Sequence, residues 1–250
     1  MNIQTAAGSG ARYTPTTARE RAAEFAELIT GPVPEDGFPT EAVAALTRSG
    51  LLSAPLPPEY GGCGLGLLPG TMRPLLDTLR AVGRADLSVG RLYEGHCNAL
   101  QLIAQFGTEA QFRRAALDTS SGHMFAVWNT QGAHGIEMTG GEAGIVLNGE
   151  KTYCSGAGHI GRPIVTVTSR DQDGTRMCLL RADELPMESD SSAWTPLGMA
   201  ASVSGAIRLD HVAVSADDLI GAPGDYQRQP WFSGGAVRFA AVQLGGAEAL

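Results

Sequence analysis

The stretch Leu147-Asn-Gly-Glu-Lys-Thr-Tyr-Cys-Ser-Gly-Ala-Gly158 precedes the apolar run Pro163-Ile-Val-Thr-Val-Thr168, and together these segments indicate a β-domain. Asn148-Gly149 is the strongest short-range hairpin signal that a sequence offers, because both residues tolerate positive φ. We therefore expect a turn at these two residues, with a strand on each side of it.

Tyr153 and Ser155 are the candidate binding residues of the second strand. The period of two places Lys151, Tyr153 and Ser155 on one face, so that an aromatic ring and a hydroxyl share it. The glycines at 156 and 158 remove side chains nearby, which would let a ligand approach the backbone. A flat ring stacked on Tyr153, with Ser155 bonding its edge, fits this pattern. The alternative is an ordinary meander strand whose tyrosine packs against a helix.

Composition argues against several classes of partner. The chain has 250 residues, 43% of them hydrophobic, and a formal net charge of −8 from 18 Lys+Arg and 26 Asp+Glu. No basic run is present, and nucleic acid is not expected as a partner because neutralising phosphates requires clustered Lys and Arg. No window reaches the roughly 18 apolar residues of a membrane span, and residues 1–15 lack a signal-peptide pattern. We therefore expect a cytoplasmic protein.

The cysteines and histidines give no metal-binding pattern. Four cysteines, at positions 63, 97, 154 and 178, have neither C-x-x-C spacing nor a nearby pair of histidines. They are expected to be free thiols rather than disulfides or zinc ligands. His96 lies on a predicted helix without a second ligand three or four residues away, so it is expected to be a satisfied helix-face histidine.

The chain up to residue 121 has helical periodicity. Thr17 is the candidate N-cap of a first helix that Gly31-Pro32 would end. A second helix is expected to begin at Thr40 and to end before Gly50. Three more helices are predicted at 71–83, 86–105 and 108–117. The Pro- and Gly-rich segment 56–66 can be neither helix nor regular strand.

From residue 123 to about 219 the period becomes two, and a helix resumes at residue 233. Strands are predicted at 123–129, 143–147, 151–155, 163–168, 176–181 and 206–214. The predicted fold class is α+β multidomain, with an N-terminal helical bundle, a middle antiparallel β-barrel-like domain and the start of a C-terminal helical bundle. The predicted segments are a flexible N-terminus (1–15), a helical domain (16–121), a β-domain (122–220), a linker (221–232) and the first helix of an incomplete C-terminal helical domain (233–250).

Five motifs in this order resemble the acyl-CoA dehydrogenase superfamily. They are Pro57-Pro-Glu-Tyr-Gly-Gly-Cys-Gly-Leu-Gly66, Phe106-Gly-Thr-Glu-Ala-Gln111, Asn148-Gly-Glu-Lys-Thr-Tyr-Cys-Ser155, Leu197-Gly-Met-Ala-Ala-Ser-Val-Ser204 and Leu209-Asp-His-Val-Ala-Val214. The chain is identified by this resemblance as a divergent member of that superfamily, with most of the C-terminal helical domain absent from the chain.

The resemblance implies FAD as cofactor. Tyr153 matches the family's tryptophan, which packs beside the flavin ring, and Ser155 matches the threonine that bonds near its reactive nitrogen. The family's T-E-P segment, which bonds the flavin pyrimidine, corresponds loosely to residues 127–134, and either Trp128-Asn129 or Thr130-Gln131 matches T-E. The candidate cofactor-binding residues are therefore Trp128, Asn129, Thr130, Tyr153 and Ser155.

Arg238 is the candidate substrate-binding residue, because it matches an arginine of the family's first C-terminal bundle helix. A minority branch carries the glutamate that removes the substrate's α-proton immediately before that arginine, but Val237 stands there in this chain. No candidate general base is visible, and the catalytic residues are unknown. Ala200 and Gly205 replace two further arginines, which indicates a divergent branch with a partner other than a simple fatty acyl-CoA.

Three functions are compatible with this pattern. The resemblance implies a flavin-dependent acyl-CoA dehydrogenase that desaturates a CoA-type acyl thioester and passes electrons to an acceptor. The first alternative is a flavin monooxygenase on the same fold, and the second is a non-catalytic binding or subunit protein. The last helix has an apolar face that should be buried by further helices or another subunit, and the expected assembly is a homodimer or homotetramer. That face comprises Val237, Ala240, Ala241, Leu244 and Ala247.

Overall fold

The computed structural model describes residues 14–29, 37–141, 144–170 and 172–250. Five helices come first: α1 (Pro15–Leu28), α2 (Thr40–Arg48), α3 (Met72–Ala85), α4 (Leu87–Phe106) and α5 (Glu109–Ser120). Eight strands follow: β1 (Phe125–Trp128), β2 (Glu137–Gly141), β3 (Gly144–Cys154), β4 (Arg162–Ser169), β5 (Gln172–Leu179), β6 (Met187–Asp190), β7 (Gly205–Val214) and β8 (Leu219–Ile220). The last helix is α6 (Trp231–Ala249). The predicted fold class is confirmed.

Side-chain caps fix where α1, α4 and α5 begin. Thr14, not the predicted Thr17, caps α1: its hydroxyl accepts from the backbone N–H of Thr17 at 3.2 Å. Pro15 accounts for the difference, since its fixed φ suits the first helical position. Thr108 caps α5 as predicted, and Gln111 completes the capping box. The predicted helix end at Gly31-Pro32 and most of the flexible segment 1–15 lie outside the described residues.

The sheet is mixed rather than purely antiparallel. Its strand order is β6-β7-β3-β2-β4-β5-β8, and β1 also pairs with β4. Both β1 and β2 run parallel to β4: residues 125–128 pair with 162–165, and Glu137 pairs with Thr168. Along the edge of β4, β1 and β2 therefore act as one strand that is interrupted at residues 129–136. The candidate site lies at this interruption.

The predicted hairpin turn at Asn148-Gly149 is wrong, because both residues lie inside the continuous strand β3. They form an irregularity in its pairing with β7, where the register shifts between Leu147 and Gly149. The glycine is needed for a close approach: a Cβ at Gly149 would lie 2.4 Å from the carbonyl oxygen of Gly135. The pairing of β2 with β3 instead ends at Gly141, which lies opposite Gly144.

Helix α4 forms the centre of the molecule and is buried along most of its length. His96 of this helix is fully buried; its Nε2 bonds the carbonyl of Leu52 at 2.8 Å and its Nδ1 accepts from the N–H of Phe125 at 3.1 Å. The ring therefore fixes β1 onto α4, and the prediction of a satisfied histidine is confirmed. All four cysteines are buried and free.

Helix α6 packs closely on α3. A Cβ at Gly245 would lie 2.0 Å from the carbonyl oxygen of Arg80, and one at Gly83 would lie 2.4 Å from that of Val242. The opposite face of α6, with Val237 and Leu244, is exposed in the single chain, and its covering remains a prediction. Among the described residues, no helix combines the length and apolar character that crossing a membrane requires.

Candidate functional site

A cavity of about 590 Å³ lies where α4, the residues after β1, Tyr153 and the start of α6 meet. Three of the predicted cofactor-binding residues line it: Asn129, Thr130 and Tyr153. The other two, Trp128 and Ser155, lie beside a small adjoining gap of about 10 Å³. The five residues therefore lie in one region, where three line the cavity and two border the adjoining gap.

A buried lysine holds the backbone on the sheet side of the cavity. The Nζ of Lys151, which is fully buried, donates to the carbonyl of Asn129 at 3.2 Å, to Gln131 Oε1 at 3.0 Å and to Thr166 Oγ1 at 2.8 Å. Thr166 in turn donates to Asn129 Oδ1 at 2.8 Å. The carbonyl of Thr130 accepts from the backbone N–H of Thr152 in β3. Burial lowers the pKa of Lys151 to about 8. Residues 129–130 are therefore held rigidly although they have left the sheet.

Tyr153 presents its ring to the cavity instead of to the core. Its side chain is 65% exposed, and its φ of +54° is uncommon for a residue with a side chain. The ring meets Trp194 edge-on, with 6.3 Å between centroids. The interpretation of Tyr153 as a core residue is therefore wrong.

The predicted common face of Lys151, Tyr153 and Ser155 is also wrong. Lys151 is fully buried whereas Tyr153 is exposed, because the pairing of β3 with β7 shifts register between Lys151 and Cys154. The glycines that follow do not open the backbone to a ligand. A Cβ at Gly156 would lie 2.5 Å from the side chain of Ile160, so the chain's own residues fill this space.

Ser155 borders the small gap that adjoins the cavity and belongs to a chain of buried hydroxyls. Its Oγ lies 2.8 Å from Ser204 Oγ, which lies 2.9 Å from Ser202 Oγ. The carbonyl of Ser155 accepts from Nε1 of Trp128 at 3.0 Å, so Trp128 binds a neighbouring segment of the protein through its ring nitrogen. Two segments that are 27 residues apart in sequence are joined here.

A charged network forms the opposite wall, between α4 and α6. Arg238 is 3% exposed, and its guanidinium donates to Glu94 Oε1 at 3.2 Å, to Gln101 Oε1 at 2.7 Å and to Asn98 Oδ1 at 2.5 Å. Arg91 pairs with the other oxygen of the same carboxylate, Oε2, at 2.5 Å. Arg238 thus lies behind the residues that line the cavity, and its role as a substrate ligand stays a prediction.

Four α4 residues of this network, Arg91, Glu94, Asn98 and Gln101, were not predicted from the sequence, although a signal was available. Positions 91, 94, 98 and 101 repeat at helical spacing on a helix that is otherwise largely apolar. A polar stripe on a buried helix requires buried partners, and an arginine elsewhere in the chain is a suitable one. The aromatic residues of the cavity, Trp231, Phe232 and Phe239, were missed as well.

The arrangement fits a flat heterocycle. One wall offers an exposed tyrosine ring and rigid backbone groups, and the other offers aromatic rings and amides. Concave sites with mostly apolar walls and a few fixed polar groups are typical of small-molecule and cofactor sites. No cluster of three or more metal-ligating side chains occurs among the described residues.

Residues 14–123 match the family model "Acyl-CoA dehydrogenase, N-terminal domain". A probable acyl-CoA dehydrogenase of Bacillus subtilis, YngJ, is 27% identical over 92% of this chain and 64% of its own length. The dibenzothiophene monooxygenase of Rhodococcus qingshengii is 26% identical over 71% of this chain and 44% of its own length. The chain thus spans less than two thirds of both relatives.

Two solved structures share the fold. Butyryl-CoA dehydrogenase of Megasphaera elsdenii superposes with a TM-score of 0.80 at 20% identity, over 99% of this chain and 68% of its own. TdsC of Paenibacillus sp. A11-2, in complex with FMN and indole, superposes with a TM-score of 0.79 at 23% identity, over 94% of this chain and 61% of its own. The fold predicted from the five motifs is therefore confirmed.

Proposed function

We propose that the cavity binds a flavin and that the chain acts as a flavin-dependent oxidoreductase, as its similarity to acyl-CoA dehydrogenases implies. The main support for this proposal is the conformation and exposure of Tyr153. A tyrosine in a left-handed backbone conformation, with its ring exposed at a cavity, costs stability, and such costs concentrate at functional sites. The complex of TdsC with FMN supports a flavin, and the proposal concerns the isoalloxazine ring that FMN and FAD share.

The chain's residues would hold this ring from the sheet side. Tyr153 supplies a flat face, the fixed backbone of Asn129 and Thr130 supplies donors and acceptors, and Ser155 supplies a hydroxyl donor. A bound flavin contributes two-electron chemistry, taking up a hydride from a substrate or, once reduced, reacting with oxygen. Lys151 contributes by keeping residues 129–130 in place, since its ammonium bonds the carbonyl of Asn129.

The charges at the cavity favour a monooxygenase over a dehydrogenase. Desaturation of an acyl thioester requires a base for the α-proton. Among the described residues that line the cavity, Glu94 is the only carboxylate, and Arg91 and Arg238 hold both of its oxygens. Because both oxygens are already engaged, Glu94 is not placed to accept the α-proton of a substrate. The monooxygenase candidate, which the Rhodococcus relative supports, needs no such carboxylate.

Flavin titration tests the proposal. We expect FMN or FAD to bind with a change in flavin absorbance and fluorescence, whereas a non-catalytic relative with a decayed pocket would bind neither. The reaction is then assigned by two assays on the flavin-loaded protein. Anaerobic bleaching of the flavin by an acyl-CoA would support desaturation. Oxygen-dependent product formation with supplied reduced flavin, without bleaching by any acyl-CoA, would support monooxygenation.

A further inference from the structure

The cavity wall, together with the arginine directly behind it, carries one more positive charge than negative charge. Arg91 and Glu94 are the only charged residues among the described residues that line it, and Arg238 lies directly behind Glu94. Two guanidinium groups therefore share one carboxylate, which leaves a net charge of about +1 at this wall. Buried charges without a counter-charge are costly, so such a site favours an anion.

Arg91 is the member of this set that can reach a ligand. Its side chain is 27% exposed, whereas those of Glu94 and Arg238 are 2% and 3% exposed. One nitrogen bonds Glu94, and the guanidinium carbon lies 5.2 Å from the centroid of the Phe239 ring. The contact with Phe239 fixes the guanidinium plane beside an aromatic wall. A planar guanidinium is well suited to pairing with a carboxylate or another oxyanion.

We propose that Arg91 selects an aromatic or similarly flat substrate that bears an acid group, with the oxyanion paired to Arg91. The inference rests on the proposed function for the presence of a flavin, and it adds the class of substrate. An oxyanion at this wall could belong to a substrate or to the phosphate of FMN. The substrate is the better occupant because Arg91 borders the small gap beside Trp128 and Ser155, two of the residues proposed to hold the flavin ring, whereas the phosphate of FMN lies at the far end of its ribityl chain.

The test compares benzoate with benzamide, a neutral molecule of nearly the same shape. Both are titrated by calorimetry into the flavin-free and the flavin-loaded protein, as wild type, Arg91→Gln and Arg91→Lys. Arg73→Gln is the matched control, since it removes an exposed arginine of α3 that pairs with Asp77. Melting temperatures are measured alongside. In Arg91→Gln, Glu94 keeps its partner Arg238, and Arg91→Lys keeps the charge if the glutamine variant fails to fold.

We expect wild type and Arg73→Gln to bind benzoate on the order of ten-fold tighter than benzamide, because hydrogen bonds to charged groups are the stronger ones. Arg91→Gln should remove this preference and Arg91→Lys should keep part of it. Equal binding of the two probes to wild type, no binding of benzoate, or a preference that survives in Arg91→Gln would overturn the inference.

Comparison of FMN with riboflavin, which lacks the phosphate, separates the two possible anions: the acid group of a substrate and the flavin phosphate. If Arg91→Gln weakens FMN binding and leaves riboflavin binding unchanged, the flavin phosphate occupies this wall and the inference is wrong. The test also separates the inference from the proposed function. A benzoate preference in a protein that binds no flavin would sustain the anion site and refute the flavin. Flavin binding without a benzoate preference would support the flavin and refute the anion site.

Discussion

The indole nitrogen of Trp128 donates to the carbonyl of Ser155 across 3.0 Å, and both residues are buried. This bond joins the end of β1 to the turn after β3, the two segments on which the predicted flavin site depends. We expect Trp128→Phe to destabilise the protein by about 1–3 kcal/mol, because the carbonyl would be left buried and unpaired. Urea unfolding measures this value. Trp194→Phe is the control: it removes a similar bond, to the carbonyl of Ala200, from a less buried ring and should cost less. Equal losses of unfolding free energy in the two variants would show that the bond of Trp128 contributes no more to stability than the bond of Trp194.

Stability should fall in mild acid because of His96. Burial lowers the pKa of His96 from 6.5 to about 4 in the folded chain. Between these two values the unfolded chain binds a proton that the folded chain does not. The contribution of His96 is therefore fully present above pH 6.5 and is lost as the pH falls towards 4, by about 3 kcal/mol in total.

The measurement is the free energy of unfolding in urea from pH 7.5 to 4 for wild type and His96→Gln. The difference between the two proteins should change over this range, since glutamine bonds both partners without titrating. His211→Gln, which makes the same substitution at an exposed histidine that pairs with Asp210, is measured as the control. A pH-independent difference between wild type and His96→Gln would contradict the prediction.

Gly245 should be irreplaceable where α6 crosses α3. In Gly245→Ala the new Cβ would lie 2.0 Å from the carbonyl oxygen of Arg80, so the helices must separate. Overpacking of this kind costs about 1–3 kcal/mol, which outweighs the gain of up to about 1 kcal/mol from placing alanine in a helix. We expect a lower melting temperature. Gly198→Ala, where no atom lies within 4 Å of the new Cβ, should melt like wild type. Identical melting of the two variants would refute the close crossing.

The helices were predictable because their signals are local. Thr108 and Gln111 form a capping box within four residues, and the glycines of α6 indicate a close crossing before any partner is known. The strands were harder to predict. Both β2 (EMTGG) and β6 (MESD) lack an apolar alternation, and they are strands only because β3 and β7 offer paired edges. Asn148-Gly149 has the local signal of a turn, but long-range pairing with β7 overrides it.

For the site, the sequence predicted the region but not the orientation of its residues. Tyr153 lines the cavity, but the face that it occupies depends on a register shift that no local pattern encodes. The bonds of Arg238 depend on residues 137 to 144 positions earlier in the chain. Such distant pairings become visible only when the fold brings α4 and α6 together. The helical spacing of the polar residues on α4 was nevertheless a usable sign that a buried partner exists.

Ser155→Ala should weaken flavin binding while leaving the fold intact. Its hydroxyl can accept from Ser204 Oγ, 2.8 Å away, while it donates to the flavin, and that second bond is worth about 0.5–1.5 kcal/mol. We expect flavin affinity to fall by a similar free energy, measured by fluorescence titration. Ser204→Ala is the matched control, because it removes a neighbouring hydroxyl of the same chain and acts on the flavin only through Ser155. An effect of Ser204→Ala that is as large as that of Ser155→Ala would argue against a direct bond from Ser155.

Tyr153 provides the sharpest separation of binding from stability. Because its ring is 65% exposed, Tyr153→Ala should hardly change the melting temperature, whereas truncation of a core tyrosine would lower it strongly. Loss of the stacked ring should nevertheless weaken flavin binding by about 0.5–1.5 kcal/mol beyond the loss of buried area. Tyr153→Phe keeps the flat face and should bind flavin like wild type, so the pair of variants isolates stacking from the hydroxyl. Titration of FMN, FAD and riboflavin into all three proteins, with melting curves recorded on the same samples, measures both effects. Unchanged affinity in Tyr153→Ala would mean that the exposed ring of Tyr153 does not contact the flavin, and the proposed placement of the ring would have to be abandoned.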